Sequence, residues 1–340
     1  MPRRMPPAAP RRRLSTLLGL LLLLAAAPAC SEEPAPPRPG APAAGPPVES
    51  PFWVDPQSAA ARQVAAWEAA GRNADAEVLR RIADRPTALW AAGDDPGPGI
   101  RRAVAGARAA GRTMVLTAYD IPYRDCGQRP AGGAKDARAY RGWIGAVADA
   151  IGAAKALVVL EPDAVAHTVD GCTSTDHHAE RYRLLSEAVD RLKRNPNTKV
   201  YLDAGAPDRI REPAELVAPL RQAGLERADG FAVNVSGFRS DADARAYGAE
   251  ISKAAKNAHF VIDTGRNGDG PPPGDDARAR CNPPGRSLGR PPTDRTDDPL
   301  VDAYLWVKRP GDSDGTCRGG PSAGAWWPDY ALGLARRAKE

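Results

Sequence analysis

The sequence has few of the features that mark several large functional classes. No G-x-G-x-x-G follows the first predicted strand and no phosphate-binding loop motif is present, so a nucleotide site is not supported. Histidine occurs only 4 times in 340 residues, and no two cysteines stand in a C-x-x-C spacing. The acidic residues therefore lack the partners that zinc and other transition metals require, and calcium stays the one open alternative for these carboxylates. We predict neither a metal nor a cofactor.

The charge balance gives no support for a nucleic-acid partner. Residues 1–13 contain five arginines and no acidic residue, and these arginines equal the whole formal net charge of +5. The chain beyond them is close to neutral, so the basic isoelectric point does not indicate a nucleic-acid surface.

The N-terminus has the organisation of an export signal. Residues 1–30 combine the basic segment, an apolar run over residues 14–27 and a small-residue processing site that ends at Cys30. The apolar run is too short for a transmembrane helix. The three arginines at 11–13 match a twin-arginine signal, and Cys30 matches a lipidation site. Free secretion and a membrane tether through Cys30 therefore both stay open.

A segment rich in proline and alanine separates this signal from the rest of the chain. Residues 31–50 hold almost nothing that could be buried, which predicts a disordered linker. Residues 51–340 are the predicted folded domain, which we expect to be a monomer. The four cysteines of this domain predict two disulfides in an exported protein, and three pairings are open at this point.

Short apolar runs alternate with helical patterns along the domain. This alternation predicts a parallel sheet with helical crossovers, and seven such units favour a closed or nearly closed barrel. We therefore predict an α/β fold, a distorted seven-stranded parallel β/α barrel of the TIM type. The runs are Thr87–Trp90, Thr113–Tyr119, Ala156–Leu160, Lys199–Asp203, Gly230–Val235, His259–Asp263 and Tyr304–Lys308, and the clearest helices are Ala59–Trp67, Asp136–Lys155, His178–Arg194 and Ser240–Lys256.

Polar or aromatic residues stand at the end of nearly every predicted strand. In a parallel barrel these ends share one face, where the active site is built. Carboxylates that converge there push their pKa values apart, so that one serves as acid and another as base, and aromatic platforms beside them are typical of sugar-chain cleavage. The alternative is a set of solvated strand ends and helix caps. The residues are Trp90, Asp120, Glu161, Asp203, Asn234, Asp263 and Lys308.

Seven short motifs follow one another in order along the domain. They are Tyr119-Asp-Ile-Pro-Tyr-Arg-Asp-Cys126, Val159-Leu-Glu-Pro-Asp163, Tyr201-Leu-Asp-Ala-Gly205, Gly230-Phe-Ala-Val-Asn-Val-Ser236, Ile262-Asp-Thr-Gly-Arg-Asn-Gly268, Cys281-Asn-Pro-Pro-Gly285 and Trp306-Val-Lys-Arg-Pro-Gly-Asp-Ser-Asp-Gly-Thr316. Together they resemble glycoside hydrolase family 6, the inverting cellulases, over essentially the whole domain. The resemblance implies a distorted β/α barrel with a cleft at the C-terminal strand ends that hydrolyses β-1,4-glucosidic bonds of a β-glucan.

The resemblance implies a role for four carboxylates. Asp163 matches the general acid, and Asp125 matches the carboxylate that tunes this acid and helps to organise the attacking water. Asp314 matches the proposed base. Asp203 matches a supporting carboxylate of the same site.

Substrate contacts and disulfides are implied in the same way. Tyr119 would lie beneath the distorted sugar, Trp90 would be an aromatic platform, and Lys308 and Asp312 would contact substrate near the base. Two further residues have alternatives: Asn234 bonds a sugar hydroxyl or satisfies a strand end, while Arg266 clamps Asp314 or Asp125, or forms a salt bridge only. The family pattern pairs Cys126 with Cys172 and Cys281 with Cys317.

The sequence departs from the family at two sugar-contacting positions. The histidine and tryptophan that usually follow Leu-Asp-Ala-Gly are replaced by Ala206-Pro-Asp-Arg209, and Arg280 replaces a tryptophan. Arginine is a poor substitute for an aromatic platform, so we expect a preference for soluble or mixed-linkage β-glucan, or for a decorated, anionic polysaccharide.

Two further inferences concern the mode of action. The segment from Asp314 to Trp326 and the one after Cys126 are short, which predicts an open cleft and endo cleavage. The rival class is a glycan-binding lipoprotein on the same scaffold. The presence of all three implied catalytic carboxylates argues against it.

Overall fold

The computed structural model describes residues 50–127, 132–274 and 277–339. The predicted signal peptide, the linker up to residue 49 and the lipidation candidate Cys30 lie outside these residues. Within the described residues, no helix has both the length and the apolar character needed to cross a membrane.

Seven parallel strands form one sheet in the order of the sequence, which confirms the predicted barrel-like fold. In the described residues no ladder joins the first strand to the last, so the barrel is open there. Two other hydrogen bonds bridge this gap: Ala88 N–H donates to Trp306 O (3.0 Å) and Trp90 Nε1 donates to Val307 O (2.7 Å). The strands are β1 Leu89–Ala91, β2 Met114–Ala118, β3 Ala156–Leu160, β4 Thr198–Asp203, β5 Gly230–Val233, β6 Phe260–Asp263 and β7 Val301–Leu305.

Helices follow most of the strands and cover the outside of the sheet. Several begin where the sequence offers a cap: the Ser58, Asp136 and Ser240 side chains each accept a backbone N–H of the first turn. The helices are α1 Ala59–Ala69, α2 Asn73–Ala83, α3 Gly97–Ala109, α4 Ala137–Ile151, α5 Ala166–Val169, α6 His178–Lys193, α7 Val217–Gln222, α8 Asp241–Ala254, α9 Ala277–Arg280 and α10 Pro328–Arg337. Short 3₁₀ turns span Asp125–Gly127, Thr175–His177, Pro213–Leu216, Leu225–Arg227 and Cys317–Gly319.

The sheet is buried on both faces, which explains its nearly continuous apolar runs. In β3, Leu157 and Val159 pack with Tyr201 and other side chains in the barrel interior, while Val158 and Leu160 pack against the helices. The interior cluster also includes Val115, Ala232, Val261, Ala303 and Leu305.

The predicted ends of two strands, β7 and β5, differ from the observed ends because of local backbone interactions and conformation. The predicted run Tyr304–Lys308 is displaced, because β7 ends at Leu305 and the amides of Val307 and Lys308 donate to the Asp263 carboxylate instead of a ladder. The predicted run to Val235 ends at Val233, because Asn234 adopts a left-handed backbone conformation with φ of 62°.

Candidate active site

The chain turns sharply where it leaves the strands, and this places the polar side chains. Four non-glycine residues at the ends of β3 and β5 have left-handed φ angles: Glu161 (51°), Asp163 (67°), Asn234 (62°) and Ser236 (60°). Such conformations are costly for residues with a Cβ and concentrate at functional sites. They redirect the backbone so that its amides and side chains meet above the barrel.

The carboxylates divide into two groups: the buried strand-end residues of the predicted ring, Asp120, Glu161, Asp203 and Asp263, and the more exposed loop residues Asp163 and Asp125. Glu161 and Asp263 are fully buried and accept backbone N–H groups from neighbouring loops. Glu161 receives those of Asp120 (3.0 Å) and Ile121 (2.9 Å), and burial raises its pKa to about 7. Asp263 receives the amides of Ser236, Gly265, Val307 and Lys308. These two carboxylates connect strand ends and are not exposed to a ligand.

Asp163 belongs to the second group, whose carboxylates reach the cleft. It lies in the turn after β3, and its side chain is 33% exposed. Its N–H donates to Asp203 Oδ2 (2.7 Å), and its Oδ1 accepts a hydrogen bond from the Arg209 guanidinium. The last residue of β4 therefore contacts the backbone of Asp163, and the turn after β4 contacts its carboxylate.

Asp203 is the buried neighbour of Asp163. Its Oδ2 also accepts the N–H of Gly205 (3.2 Å), while its Oδ1 is buried with no hydrogen-bond partner among the described residues. Burial and the nearby charge of Asp163 raise the pKa of Asp203 to about 8. Gly205 has a φ of 72°, and a Cβ there would lie 3.0 Å from that of Ala166, so the close approach of the two turns favours glycine.

Asp125 lies in the loop after β2 with its side chain 53% exposed. The Tyr119 hydroxyl donates to Asp125 Oδ1 at 2.5 Å, and Arg124 Nε lies 3.5 Å from Oδ2. Burial, followed by the charge of Asp125, raises the pKa of Tyr119, which keeps the hydroxyl protonated as a donor. A Cβ on Gly132 would lie 3.0 Å from Asp125 Oδ2, so a larger residue there would crowd the carboxylate.

Aromatic and covalent contacts hold this loop in place. The Trp90 ring meets Tyr119 edge-on, with centroids 5.4 Å apart, and the Arg124 guanidinium lies over the Tyr119 ring. Both implied disulfides are present: Cys126–Cys172 connects the Asp125 loop to the segment after α5, and Cys281–Cys317 connects two loops beside Asp314.

Arg181 is a residue of the site that the sequence reasoning missed. It lies on α6, is only 3% exposed, and donates to the carbonyls of Pro122 (3.0 Å), Tyr123 (2.8 Å) and Ala164 (3.3 Å). It therefore connects the Asp125 loop to the Asp163 turn. One sequence signal could have indicated this residue: Arg181 is an arginine on the same buried face of α6 as Leu184, Leu185 and Ala188.

Asp314 follows β7 and Asp163 follows β3. The strands β4, β5 and β6 therefore lie between them in the sheet. Arg266 Nη1 contacts both of its oxygens (2.8 and 2.9 Å), Lys308 Nζ lies 3.4 Å from Oδ1, and Asn282 N–H donates to Oδ2 (2.9 Å). Burial opposes ionisation, but the charges of Arg266 and Lys308 hold the pKa of Asp314 below its ordinary value. Of the alternatives for Arg266, the structure shows the clamp on Asp314.

The remaining predicted residues lie around these groups. Asp312 is buried and pairs with Arg309, and burial raises its pKa. Asn234 is fully buried, and its amide bonds the backbone of Arg239 and Asp263, which satisfies a strand end. Arg280 lies 3.6 Å from an Asp208 carboxylate oxygen.

Among the described residues, one group of three side chains has its ligand atoms close enough together to suggest a metal site. This group, Cys126, His167 and Cys172, brings its sulfur and nitrogen atoms within 4.8 Å of one another. Both cysteines are in a disulfide, so their thiolates are not available for a metal.

An open parallel barrel with exposed carboxylates and aromatic rings at its C-terminal strand ends defines a class, that of the β/α-barrel glycosidases. Residues 48–338 match the family described as Glycosyl hydrolases family 6, and the chain belongs to this family.

Individual relatives agree with this assignment. The chain is 40% identical over 292 residues to Endoglucanase A of Cellulomonas fimi, covering 85% of this chain but 61% of that protein. It is 38% identical to Endoglucanase 1 of Streptomyces halstedii, covering 82% and 87%. The solved endoglucanase Cel6 of Mycobacterium tuberculosis, in complex with methyl-cellobiosyl-4-deoxy-4-thio-β-D-cellobioside, is 44% identical, with a TM-score of 0.77 and coverage of 85% and 97%.

Proposed function

We propose that this protein is a secreted endo-β-1,4-glucanase that hydrolyses β-glucan with inversion at the anomeric carbon. The observation that carries the proposal is the pair of exposed carboxylates, Asp163 and Asp125, on loops that Arg181 connects. The family assignment and the names of the endoglucanase relatives support the substrate class. Since the chain spans only about three fifths of the Cellulomonas protein, this activity is proposed for the domain described here.

The mechanism follows from the three cleft carboxylates. Asp163 gives its proton to the glycosidic oxygen as the bond to the anomeric carbon breaks. A water attacks that carbon from the opposite face, and Asp125, with Tyr119 bonded to it, orients this water. Asp314 is held ionised, which is the form a base needs to receive the water's proton. Inversion requires room for the water, about 6.5–9.5 Å between acid and base, or a water chain between them.

Tyr119 and Trp90 are proposed as the sugar-contacting surface beside the acid, and Lys308 and Asp312 as contacts near the base. Tyr119 is half-buried, and the edge-on Trp90 ring fixes its orientation. Lys308 also donates to Ser313 O (3.3 Å), which fixes the ammonium group beside Asp314.

Endo cleavage is proposed because the segment after Asp314 folds back on itself. Ser313 N–H donates to Ala325 O (2.9 Å), Gly324 N–H donates to Ser313 O (2.9 Å), and a β-bridge joins Asp312 to Trp326. The loop that these contacts close is short, which supports an open cleft without a roof. The substrate chain can therefore enter at an internal bond.

A neutral, soluble or mixed-linkage β-glucan is the substrate that the arginine contacts favour. The two arginines that replace aromatic residues face carboxylates of the chain itself: Arg209 contacts Asp163, and Arg280 lies near Asp208. Their charge is offset internally, so we do not carry the anionic-polysaccharide alternative forward. Comparable rates on crystalline cellulose and soluble glucan would contradict the preference for soluble substrate.

The test is hydrolysis by the full-length protein of hydroxyethyl cellulose and mixed-linkage β-glucan. We expect reducing ends from the wild type, an early fall in viscosity, and an α-anomer as the first product by NMR. Asp163→Asn should lower the rate by about a hundred- to ten-thousand-fold. Asp149→Asn, which changes an exposed acid in the last turn of α4, is the matched control and should remain active.

Two outcomes would contradict the proposal. Full activity in Asp163→Asn would remove this residue as the acid, and a β-anomer as the first product would exclude inversion. Absence of product from folded wild-type protein on both substrates would leave the glycan-binding lipoprotein as the better hypothesis.

Export and a lipid tether are separate proposals from residues 1–30. Labelling of the expressed protein with a fatty-acid analogue, compared with Cys30→Ser, distinguishes the two forms. Label on the wild type alone would support the tether, and no label would support free secretion.

A further inference from the structure

Asn282 is a buried polar residue beside the proposed base, and the mechanism above gives it no role. It lies in the loop after α9, is 3% exposed, and has a left-handed φ of 45°. Asparagine is one of the few residues with a Cβ that adopt this conformation readily. In this conformation its backbone N–H donates to Asp314 Oδ2 at 2.9 Å.

The side chain of Asn282 holds the backbone of the segment that carries Asp314. Its Oδ1 accepts the N–H of Asp314 at 2.7 Å, so each of the two residues donates its backbone N–H to the side chain of the other. Its Nδ2 donates to Gly315 O at 2.8 Å and to Cys317 O at 3.1 Å. One carboxamide therefore binds the backbone both at Asp314 and just after it.

The space around the Asn282 amide is filled. Gly320 has an ordinary φ of −67°, yet a Cβ there would lie 2.5 Å from Asn282 Nδ2 and 2.9 Å from Ser313 Oγ. The buried Ser313 hydroxyl donates to Gly315 O at 2.9 Å, the same carbonyl that the Asn282 amide binds. The backbone on both sides of Asp314 is therefore held by buried side chains.

The two cations beside Asp314 act in a different way. Arg266 and Lys308 contact the carboxylate oxygens, so they stabilise the charge of the group. Asn282 contacts both the carboxylate and the backbone N–H of Asp314, and so determines where the group lies. A general base must lie within hydrogen-bond reach of the proton that it removes, and a displacement of about 1 Å can lower a rate by about a hundredfold.

We propose that Asn282 is a positioning residue that fixes Asp314 where it can accept a proton from the attacking water. The inference rests on the proposed role of Asp314 as the base. In that step the water oxygen bonds to the anomeric carbon, the glycosidic bond breaks, and Asp163 gives its proton to the departing oxygen. Asp314 takes up the proton that the water loses. Asn282 exchanges no proton and acts through Asp314 alone.

The first test removes the amide without straining the backbone. Asn282→Gly keeps access to the left-handed conformation, because glycine adopts it at no steric cost. On a soluble β-1,4-gluco-oligosaccharide we expect kcat to fall by about ten- to a hundredfold with KM nearly unchanged. Gly320→Ala leaves Asn282 in place but crowds its Nδ2, so it should lower kcat in the same way.

A double variant separates positioning of the base from a structural role. If Asn282 acts through Asp314, adding Asn282→Gly to Asp314→Asn should cause little further loss of kcat, because residues that act as a unit have non-additive effects. Independent damage to the structure would multiply the two losses.

Two matched controls lie away from the cleft. The Asn195 amide donates to Ala148 O at 2.8 Å and connects the end of α6 to α4, so Asn195→Ala loses a comparable hydrogen bond and should keep the wild-type kcat. Gly142→Ala adds a Cβ on α4 where no atom lies within 4 Å, and it should also keep kcat.

The proposal is overturned if folded Asn282→Gly keeps the wild-type kcat, if only KM rises, or if the losses multiply in the double variant. If Asn282→Gly does not fold, Gly320→Ala decides by the same criteria, alone and combined with Asp314→Asn. Failure of the proposed function has a different signature: the wild type yields no product, or Asp314→Asn keeps the wild-type kcat. Both results are seen without any change at Asn282.

Discussion

Two aspartate–arginine pairs in the cleft have the same chemistry and different surroundings. In the Asp314–Arg266 pair the arginine side chain is 1% exposed, contacts both carboxylate oxygens, and also donates to Ser236 O (2.6 Å). In the Asp163–Arg209 pair both side chains are about one third exposed and share a single contact. The first pair is fixed by its neighbours, while the second can separate.

This difference shows why one carboxylate suits the base and the other suits the acid. A buried, multiply bonded aspartate stays ionised, as a proton acceptor must. An exposed aspartate with one removable partner is accessible to a substrate once that partner moves away. The environment of each pair, and not the residue types, supports the roles proposed above, Asp163 as the acid and Asp314 as the base.

The largest effect is expected at the buried pair. Arg266→Met leaves Asp314 without its main partner, and breaking a buried ion pair costs about 3–5 kcal/mol. Urea unfolding at pH 7 measures the loss of stability. A loss below about 1 kcal/mol would contradict the view that this pair is fixed and buried.

A smaller effect is expected at the residue that positions the exposed pair. Arg181→Met leaves the carbonyls of Pro122, Tyr123 and Ala164 without a donor, at a cost of about 1–3 kcal/mol. We also expect kcat to fall by about ten- to a hundredfold, because the Asp163 turn and the Asp125 loop are no longer held in a fixed position relative to each other. Arg181→Lys should recover part of kcat. Loss of stability with unchanged kcat would show that Arg181 does not position the site.

The stability that Glu161 and Asp203 contribute and the stability that Asp314 contributes should change with pH in opposite directions. The raised pKa values of Glu161 (about 7) and Asp203 (about 8) mean that the native protein keeps protons that the unfolded chain releases. Their contribution to stability is complete below their ordinary pKa values of 4.5 and 3.8, and it is lost as the pH rises to about 7–8. Each proton accounts for about 1.4 kcal/mol per pH unit.

Asp314 has a lowered pKa, so its contribution is present above its ordinary value of 3.8 and is lost as the pH falls through the native pKa. Urea unfolding between pH 3 and pH 8 separates these effects. Glu161→Gln should flatten the decline from weakly acidic to neutral pH. Asp314→Asn should lower the stability above about pH 4 and remove the fall at the acidic end. A flat wild-type profile above pH 5 would contradict the assignment for Glu161 and Asp203.

The smallest effect is expected for the stability of Arg209→Met. An exposed ion pair contributes about 0–1 kcal/mol, so the free energy of unfolding should change little. A loss comparable to that of Arg266→Met would show that the two pairs do not differ in the way described.

The sequence predicts the strand order and most strand positions because parallel strands buried on both faces read as apolar runs. It also predicts that Glu161, Asp163, Asp203 and Asp263 meet at one end of the barrel. It does not distinguish buried carboxylates from exposed ones, because that depends on which backbone amides approach each side chain in space. The Arg209–Asp163 contact is missed for the same reason, since it joins turns 46 residues apart.

The gap between β1 and β7 has a consequence for the motions of the protein. The strands within the sheet exchange ladders of backbone hydrogen bonds, but this seam is bridged by the Ala88 amide and the Trp90 indole. Local opening starts where few hydrogen bonds must break together. We therefore expect the amides of β1 to exchange with deuterium sooner than those of β3 and β4, so that the barrel loosens first beside the tryptophan at the edge of the cleft.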